Sequence, residues 1–134
     1  MLKQLSIYAE NKKGALQTMT NALYEAGINI WGSVTNDGAE YGINRMVVSD
    51  PDKAKEVLTE RGYLCRFVDV LAVEIEDKPG ALNTLLTALL DSNVNVDYTY
   101  LSFNRDSSTP VMILHTADPE EVEMCLKAKG FKMV

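Results

Sequence analysis

The sequence predicts an α+β protein made of two tandem copies of one strand–helix–strand–strand–helix–strand unit. Three observations support this prediction: a turn motif that occurs twice, apolar residues in matching patterns around it, and a second pair of matches further along. Gly14 aligns with Gly80 at an offset of 66 residues (80 − 14), and Asp50 aligns with Asp118 at an offset of 68 (118 − 50). A two-residue insertion confined to a loop, with flanking elements in phase, is typical of a structural duplication.

The repeated motif contains the end of a strand, a turn and the start of a helix. It occupies residues 10–16 in the first copy and 76–82 in the second. Apolar residues alternate before the motif, as in a strand with one buried face. They recur at helical spacing after it. Each copy is therefore expected to open with a strand, a glycine-containing turn and a helix.

The ends of the helices are predicted from local signals. Gly27 and its counterpart Asn93 are the residue types that tolerate the left-handed conformation after a helix. Asp50 is expected to be an N-cap, with proline as the first helical residue. Asp118 and Glu121 are expected to form a capping box at the last helix.

The other elements complete two similar units. Asp37-Gly38 predicts a hairpin turn between the second and third strands of the first copy. Each copy then reads as a ferredoxin-like βαββαβ unit, an antiparallel sheet with both helices on one face. We assign residues 1–68 to the first domain and 69–134 to the second.

The connection between the copies contains no Gly, Pro or Ser tract, so we expect the two units to be held rigidly and to share an interface. Units of this size are marginal alone. Exposed sheet edges in such small units also favour a homodimer.

Composition excludes several classes of function. The chain has 134 residues, a net charge of −6 and no clustered basic tract, which argues against a nucleic-acid partner. No apolar run approaches the roughly 18 residues needed to cross a bilayer, so no membrane partner is expected. The first residues do not have the pattern of a signal peptide, and we expect a cytoplasmic protein. Cys65 and Cys125 are expected to be reduced thiols that pack in the core.

No residues point to catalysis or to a metal. His115 is the only histidine, and no cysteine or carboxylate lies near it at ligand spacing. Zinc needs three or four such ligands, and an enzyme needs a nucleophile and a base within reach of each other. We therefore expect no catalytic residue, no metal site and no cofactor.

The motif resembles the ACT domain. The pattern is (Asp/Asn)-Lys-x-Gly-Ala-Leu, followed after the helix by (Gly/Asn)-(Ile/Val)-Asn-(Ile/Val). The second copy, at residues 77–82 and 94–96, matches more closely. The first copy has Lys13 where the family usually has proline, which predicts a looser turn. The resemblance covers nearly the whole chain, as two copies without a catalytic domain.

The resemblance implies a non-catalytic regulatory sensor that binds a free amino acid at an interface between ACT units and reports it to a partner enzyme. The ligand would lie between the first turn of one unit and the second strand of its partner. Glycine in the turn leaves the helix amides open to a carboxylate, and Asp77 or Asp97 would hold the ammonium group. The candidate ligand-binding residues are Asn11, Lys12, Gly14, Ala15, Leu16, Asn29, Ile30, Trp31, Asp77, Lys78, Pro79, Gly80, Ala81, Leu82, Asn95, Val96 and Asp97.

Two alternatives stay open from the sequence. A glycine before a helix is often only a turn, so the protein is alternatively a ligand-free protein–protein interaction module that regulates a partner enzyme. Trp31 and Asp97 either pack against the sheet or set side-chain selectivity. If the site is real, Gly80→Val is expected to abolish binding by crowding the amides while leaving the fold largely intact.

Overall fold

The order of helices and strands follows the predicted duplication. A computed structural model describes residues 1–10, 12–36 and 41–134. The elements are β1 (Leu2–Glu10), α1 (Ala15–Glu25), β2 (Ile30–Asn36), β3 (Tyr41–Val48), α2 (Pro51–Glu60), β4 (Leu64–Glu74), α3 (Ala81–Asp91), β5 (Val96–Phe103), β6 (Pro110–Thr116), α4 (Pro119–Ala128) and β7 (Lys132–Met133). The predicted hairpin turn at Asp37-Gly38 lies outside the described residues.

The chain divides into two units, each with its own strands and helices. One unit comprises Lys3–Val68, and the other comprises Asp69–Val134 together with Met1–Leu2. The long strand β4 contributes its first residues to the first unit and its remaining residues to the second. The fourth strand of one copy thus continues directly as the first strand of the next.

Both units have the strand order of a ferredoxin-like fold. In the first unit the order is β2-β3-β1-β4, with β3 antiparallel to both β1 and β2. In the second it is β5-β6-β4, with β7 on the other side of β4, and the pairs are again antiparallel. The predicted α+β class and the βαββαβ units are confirmed.

One face of each sheet carries the helices. In the first unit, alternate residues of β1 and β3 pack against apolar residues of α1 and α2. The same arrangement joins β4 and β6 to α3 and α4 in the second unit. The buried residues of the first core are Leu5, Ile7, Met19, Ala22, Leu23, Ile28, Met46, Val48, Ala54, Leu58 and Cys65. Those of the second are Leu71, Val73, Leu85, Leu89, Met112, Leu114, Val122 and Leu126.

Left-handed residues end the first helix of each unit, as predicted. Gly27 follows α1 with φ 72°, and Asn93 follows α3 with φ 58°. The next amide bonds back into the helix in both copies, from Ile28 to the Leu23 carbonyl at 3.0 Å and from Val94 to that of Leu89 at 2.9 Å. The chain therefore shows that asparagine replaces glycine at this position without changing the turn.

The second helix of each unit begins differently in the two copies. The Asp50 side chain accepts a hydrogen bond from the Lys53 amide at 3.2 Å, so the predicted N-cap is confirmed. The predicted capping box of Asp118 and Glu121 is wrong. Asp118 has φ 52° and its side chain makes no capping bond. The left-handed backbone at Asp118 differs from the extended conformation that an N-cap normally adopts.

No helix within the described residues is both long enough and apolar enough to cross a lipid bilayer.

Candidate functional site

The turn before the first helix of each unit has the same backbone geometry in both copies. Its third residue is Gly14 (φ 83°, ψ −5°) in the first and Gly80 (φ 87°, ψ −6°) in the second. These are the angles of the third residue of a type II turn, about +80° and 0°. Proline favours the second position of that turn, and Pro79 occupies it. Lys13 in the first copy leaves the glycine angles nearly unchanged, and the looser first turn stays a prediction.

Matching hydrogen bonds hold the turns. The Ala15 amide donates to the Lys12 carbonyl at 3.1 Å, and the Ala81 amide donates to that of Lys78 at 3.2 Å. Each glycine carbonyl also accepts from the side chain of the threonine one turn into the helix, at 2.9 Å in the first copy and 3.0 Å in the second. The backbone of both turns is therefore fixed in the same way.

The first helical turn presents unpaired amides in both copies. Among the described residues, no acceptor is recorded for the amides of Leu16 and Gln17, or for those of Leu82 and Asn83. Neither helix has a side-chain cap. Such amides, with the positive end of the helix dipole, favour an anion such as a carboxylate.

Glycine is needed at both positions because of the backbone conformation, and not because a side chain would lack space. A Cβ atom at Gly14 or Gly80 would meet no atom within 4 Å. The positive φ angle is nevertheless unfavourable for any residue with a side chain, and most so for a β-branched one. Valine would therefore strain the turn, and the expectation that Gly80→Val leaves the fold largely intact stays a prediction.

The predicted turn residues are mostly exposed. Asn11 lies outside the described residues. Lys12, Gly14, Asp77, Lys78, Pro79 and Gly80 are exposed, while Ala15 and Ala81 are half-buried. Leu16 and Leu82, with 48% and 37% of their surface exposed, place apolar side chains beside the open amides.

The predicted second-strand residues lie at the far end of the first helix. Asn29, Ile30 and Trp31 follow α1, and Asn95, Val96 and Asp97 follow α3. Each helix has 11 residues, which spans about 16 Å at 1.5 Å per residue. The structure therefore does not bring the two predicted sets together within one unit.

Asp97 already has partners for both carboxylate oxygens. Its Oδ2 lies 2.8 Å from Nδ1 of His115, and its Oδ1 accepts from the Asn95 side chain at 3.2 Å. The His115 ring also stacks on Tyr98, with centroids 4.9 Å apart. The pairing of β5 with β6 brings these side chains together. The contact of Asp97 with His115 depends on the register of β5 with β6, which the sequence pattern did not define.

Each turn forms one wall of a cleft, and the two clefts occupy equivalent positions. The first cleft, of about 580 Å³, lies between the first turn, the end of β1 and the start of β4. The second, of about 400 Å³, lies between the second turn, the C-terminal end of β4 and the start of β7. Equivalent lining residues occur at offsets of 66 and 68, as in the sequence repeat. The first is lined by Tyr8, Ala9, Glu10, Lys12, Lys13, Gly14, Ala15, Gln17, Thr18, Tyr41, Arg61, Gly62, Tyr63 and Leu64.

Sequence reasoning found only the turn side of these clefts. The side formed by Tyr63 and Leu64, and by Phe131 and Lys132 in the second copy, was not predicted. The repeat offsets contained this information, because Gly62-Tyr63 aligns with Gly130-Phe131. No motif, however, marked these residues as facing the turn.

Ion pairs near the clefts are local and exposed. Lys12 pairs with Glu10 at 3.2 Å and Lys78 with Glu76 at 2.6 Å. Pairs this exposed stabilise a fold only slightly. Arg61 hydrogen-bonds to Glu25 at 2.8 Å, and this bond holds the pKa of the Glu25 carboxyl below its usual value.

Cys65 is a buried free thiol. Burial raises the pKa of the Cys65 thiol, which favours the unreactive protonated form. Among the described residues, no group of three or more His, Cys, Asp and Glu side chains is placed to hold a metal ion.

Two ferredoxin-like units, each with a type II turn before its first helix and a cleft beside that turn, define a duplicated α+β module. The family profile for the ACT domain pair matches residues 1–134. The chain therefore belongs to the ACT domain pair family.

Comparison with solved structures agrees with this assignment. A protein from Bacteroides thetaiotaomicron, BT0572, is 31% identical, with a TM-score of 0.90, and the match covers 99% of this chain and 91% of that one. The regulatory subunit of aspartate kinase from Thermus thermophilus, in its ligand-free form, is 17% identical, with a TM-score of 0.66 over 96% of this chain and 91% of that one. The corresponding subunit from Thermus flavus is 19% identical, with a TM-score of 0.61 and coverage of 96% and 91%. No curated protein sequence shows significant similarity to the chain.

The two aspartate kinase subunits share the fold with this chain. Because their sequence identity to it is low, they do not indicate which ligand this chain binds. Family membership itself supports a regulatory, ligand-sensing role.

Proposed function

We propose that this protein is a non-catalytic cytoplasmic sensor that binds a free amino acid at its strand–turn–helix motifs and reports it to a partner enzyme. The observation that carries the proposal is the duplicated type II turn, with Gly14 and Gly80 at nearly the same φ in front of unpaired helix amides. A duplication retained only for packing would not require both turns to keep these amides open.

The amides and the apolar side chains provide complementary contacts for an amino acid. The carboxylate would accept hydrogen bonds from the amides of the first helical turn. The exposed surfaces of Leu16 and Leu82 would contact the ligand side chain. Asp77 is exposed and has no recorded bond among the described residues, so it is the carboxylate that we assign to the ammonium group in the second copy.

The pairing of each turn with the second strand of another unit stays a prediction from the family resemblance. Asn29 and Asn95 are exposed, which this arrangement requires. The homodimer is likewise part of the proposal, and sedimentation equilibrium of the full chain tests it.

A thermal-shift screen against the common amino acids tests the function. A ligand at about 100 times its dissociation constant stabilises the folded state by about 2.7 kcal/mol, which corresponds to a shift of several degrees for a protein of this size. We expect one amino acid, or one chemically related group, to raise the melting temperature, and a flat response to all of them would refute the proposal.

A matched pair of variants tests the location of the site. Gly80→Asn keeps a residue type that tolerates positive φ but adds a side chain beside the amides, and it should weaken binding. Gly27→Asn makes the same chemical change at φ 72°, where the second copy already has Asn93, and it should leave binding unchanged. If the two variants bind the amino acid with equal affinity, the second turn is not part of the binding site.

The alternative function is a ligand-free interaction module that regulates a partner enzyme. One observation favours it: Leu82, Leu86 and Leu90 form an exposed apolar row on α3, with 37%, 37% and 74% of their surface exposed. If no amino acid shifts the melting temperature, the interaction function replaces the sensor. Loss of self-association in Leu86→Lys would then identify this row as a contact surface.

A further inference from the structure

The two equivalent clefts differ in their side chains although their backbones match. Tyr8, Tyr41 and Tyr63 line the first cleft, at the ends of three different strands. The equivalent positions in the second cleft hold Glu74, Thr109 and Phe131. Because the second copy forms the same elements with these other residues, the fold does not require the three tyrosines.

The charges of the two clefts differ as well. Within the described residues, the first is lined by Lys12, Lys13 and Arg61 and by one acid, Glu10. In the second, Lys78 and Lys132 are balanced by Glu76 and Glu74, and both pairs are in contact, at 2.6 Å and 3.2 Å. The first cleft thus has an excess of positive charge in a chain whose net charge is −6.

Among the described residues that line the first cleft, no carboxylate is free to hold an ammonium group. Glu10 is already paired with Lys12 at 3.2 Å. Lys13 has no recorded ion pair among the described residues, and the partner of Arg61 is Glu25, which does not line the cleft. A carboxylate ligand would meet cationic donors here, whereas a zwitterion would bring its ammonium group into a positive environment.

The tyrosines indicate a planar, mostly apolar ligand body. Phenol rings provide flat apolar faces that favour offset or edge-to-face contact with another aromatic ring. No partner is recorded for the three phenol hydroxyls within the part of the chain that the structure describes. A volume of about 580 Å³ lies within the usual range for small-molecule sites.

We propose that the first cleft binds an aromatic carboxylate that lacks an α-ammonium group. At the first turn this ligand class takes the place of the proposed amino acid. The amino acid of the proposed function would then bind at the second turn, where Asp77 is exposed. The proposal stands on the cleft side chains and does not depend on amino-acid binding elsewhere in the protein.

Titration calorimetry of the full chain with three probes tests this proposal. 3-Phenylpropionate has the ring and the carboxylate, L-phenylalanine adds the ammonium group, and 3-cyclohexylpropionate replaces the planar ring. We expect saturable binding of 3-phenylpropionate, with the other two bound about tenfold and about fivefold more weakly. Absence of 3-phenylpropionate binding, or tighter binding of L-phenylalanine, would overturn the proposal.

Four exposed positions provide the variants and their controls. Tyr41→Thr introduces the residue of the second cleft and should weaken 3-phenylpropionate binding about fivefold, while Lys13→Gln should weaken it about threefold. Tyr24→Thr, at an exposed tyrosine outside the cleft, and Lys53→Gln, at an exposed lysine on α2, should leave the affinity unchanged. If all four variants bind equally well, the first cleft is not the site.

The outcome separates this inference from the proposed function. If an amino acid raises the melting temperature but 3-phenylpropionate does not bind, the sensor function is supported and the aromatic-carboxylate site is refuted. If 3-phenylpropionate binds with the expected variant pattern and no amino acid has an effect, the reverse holds.

Discussion

Substitution of Gly80 separates backbone strain from steric crowding at the turn. The residue has φ 87° and ψ −6°, and a Cβ atom there would meet no atom within 4 Å. Destabilisation by a side chain at this position should therefore come only from the backbone. Alanine, asparagine and valine at this position form a series in which the conformational preference changes while the surroundings remain empty.

The expected costs follow from the left-handed conformation. Alanine costs about 1–2 kcal/mol in this region relative to glycine, and asparagine costs less because it tolerates positive φ. Valine, which is β-branched, should cost most. Gly14→Ala should cost the same as Gly80→Ala within about 0.5 kcal/mol, because φ 83° and the empty surroundings are nearly identical.

Urea unfolding followed by far-ultraviolet circular dichroism measures these differences. In thermal unfolding, a loss of 1 kcal/mol in the free energy of unfolding would lower the melting temperature by about 4 °C for a chain of this length. The reasoning would be refuted if asparagine destabilised the protein as much as valine did, or if alanine had no effect, since either result would show that φ does not limit the choice of residue.

Three further predictions concern stability. Lys13→Pro should raise the free energy of unfolding by about 0.5–1 kcal/mol, because Pro79 already occupies the same position of the same turn; a fall in the urea midpoint would contradict this. Asp50→Ala should lower the free energy of unfolding by about 1 kcal/mol, because the capping bond is lost. Asp118→Gly should raise the free energy of unfolding, because glycine adopts φ 52° without strain. The urea midpoint measures both effects. The N-terminal ammonium, 3.1 Å from Glu123, and then Lys127 hold the pKa of this carboxyl below its usual value. Its stabilising contribution is therefore complete above the unfolded-state value of about 4.3 and is lost as pH falls through the lower folded-state value, so Glu123→Gln should flatten the acid limb of the stability profile.

The sequence predicted the elements best where a local signal and the duplication agreed. Gly27 and Asn93 illustrate this, since two different residues with one shared conformational property mark the same helix end. The Asp118 capping box was wrong because a residue pattern cannot report the backbone angle. At Asp50, which shares with Asp118 a following proline, the predicted N-cap was right, with φ −139°.

The candidate site was predicted only in part, for a physical reason. The turns follow from short-range constraints, because glycine at the third position of a type II turn is a local requirement. The clefts depend on Tyr63 and Phe131, which the pairing of distant strands brings to the turns. The contact of Asp97 with His115 likewise depends on the register of β5 with β6, which local pattern does not fix.

The measurement that tests the central claim most directly is a ¹H–¹⁵N correlation spectrum of the full chain, recorded during titration with the amino acid that gives the largest thermal shift. If the duplicated turns are the binding sites, the amides of Leu82 and Asn83, or those of Leu16 and Gln17, should show the largest saturable shifts, because no acceptor for them is recorded among the described residues. Saturable shifts confined to residues away from both turns, or no shifts at any ligand concentration, would contradict the account.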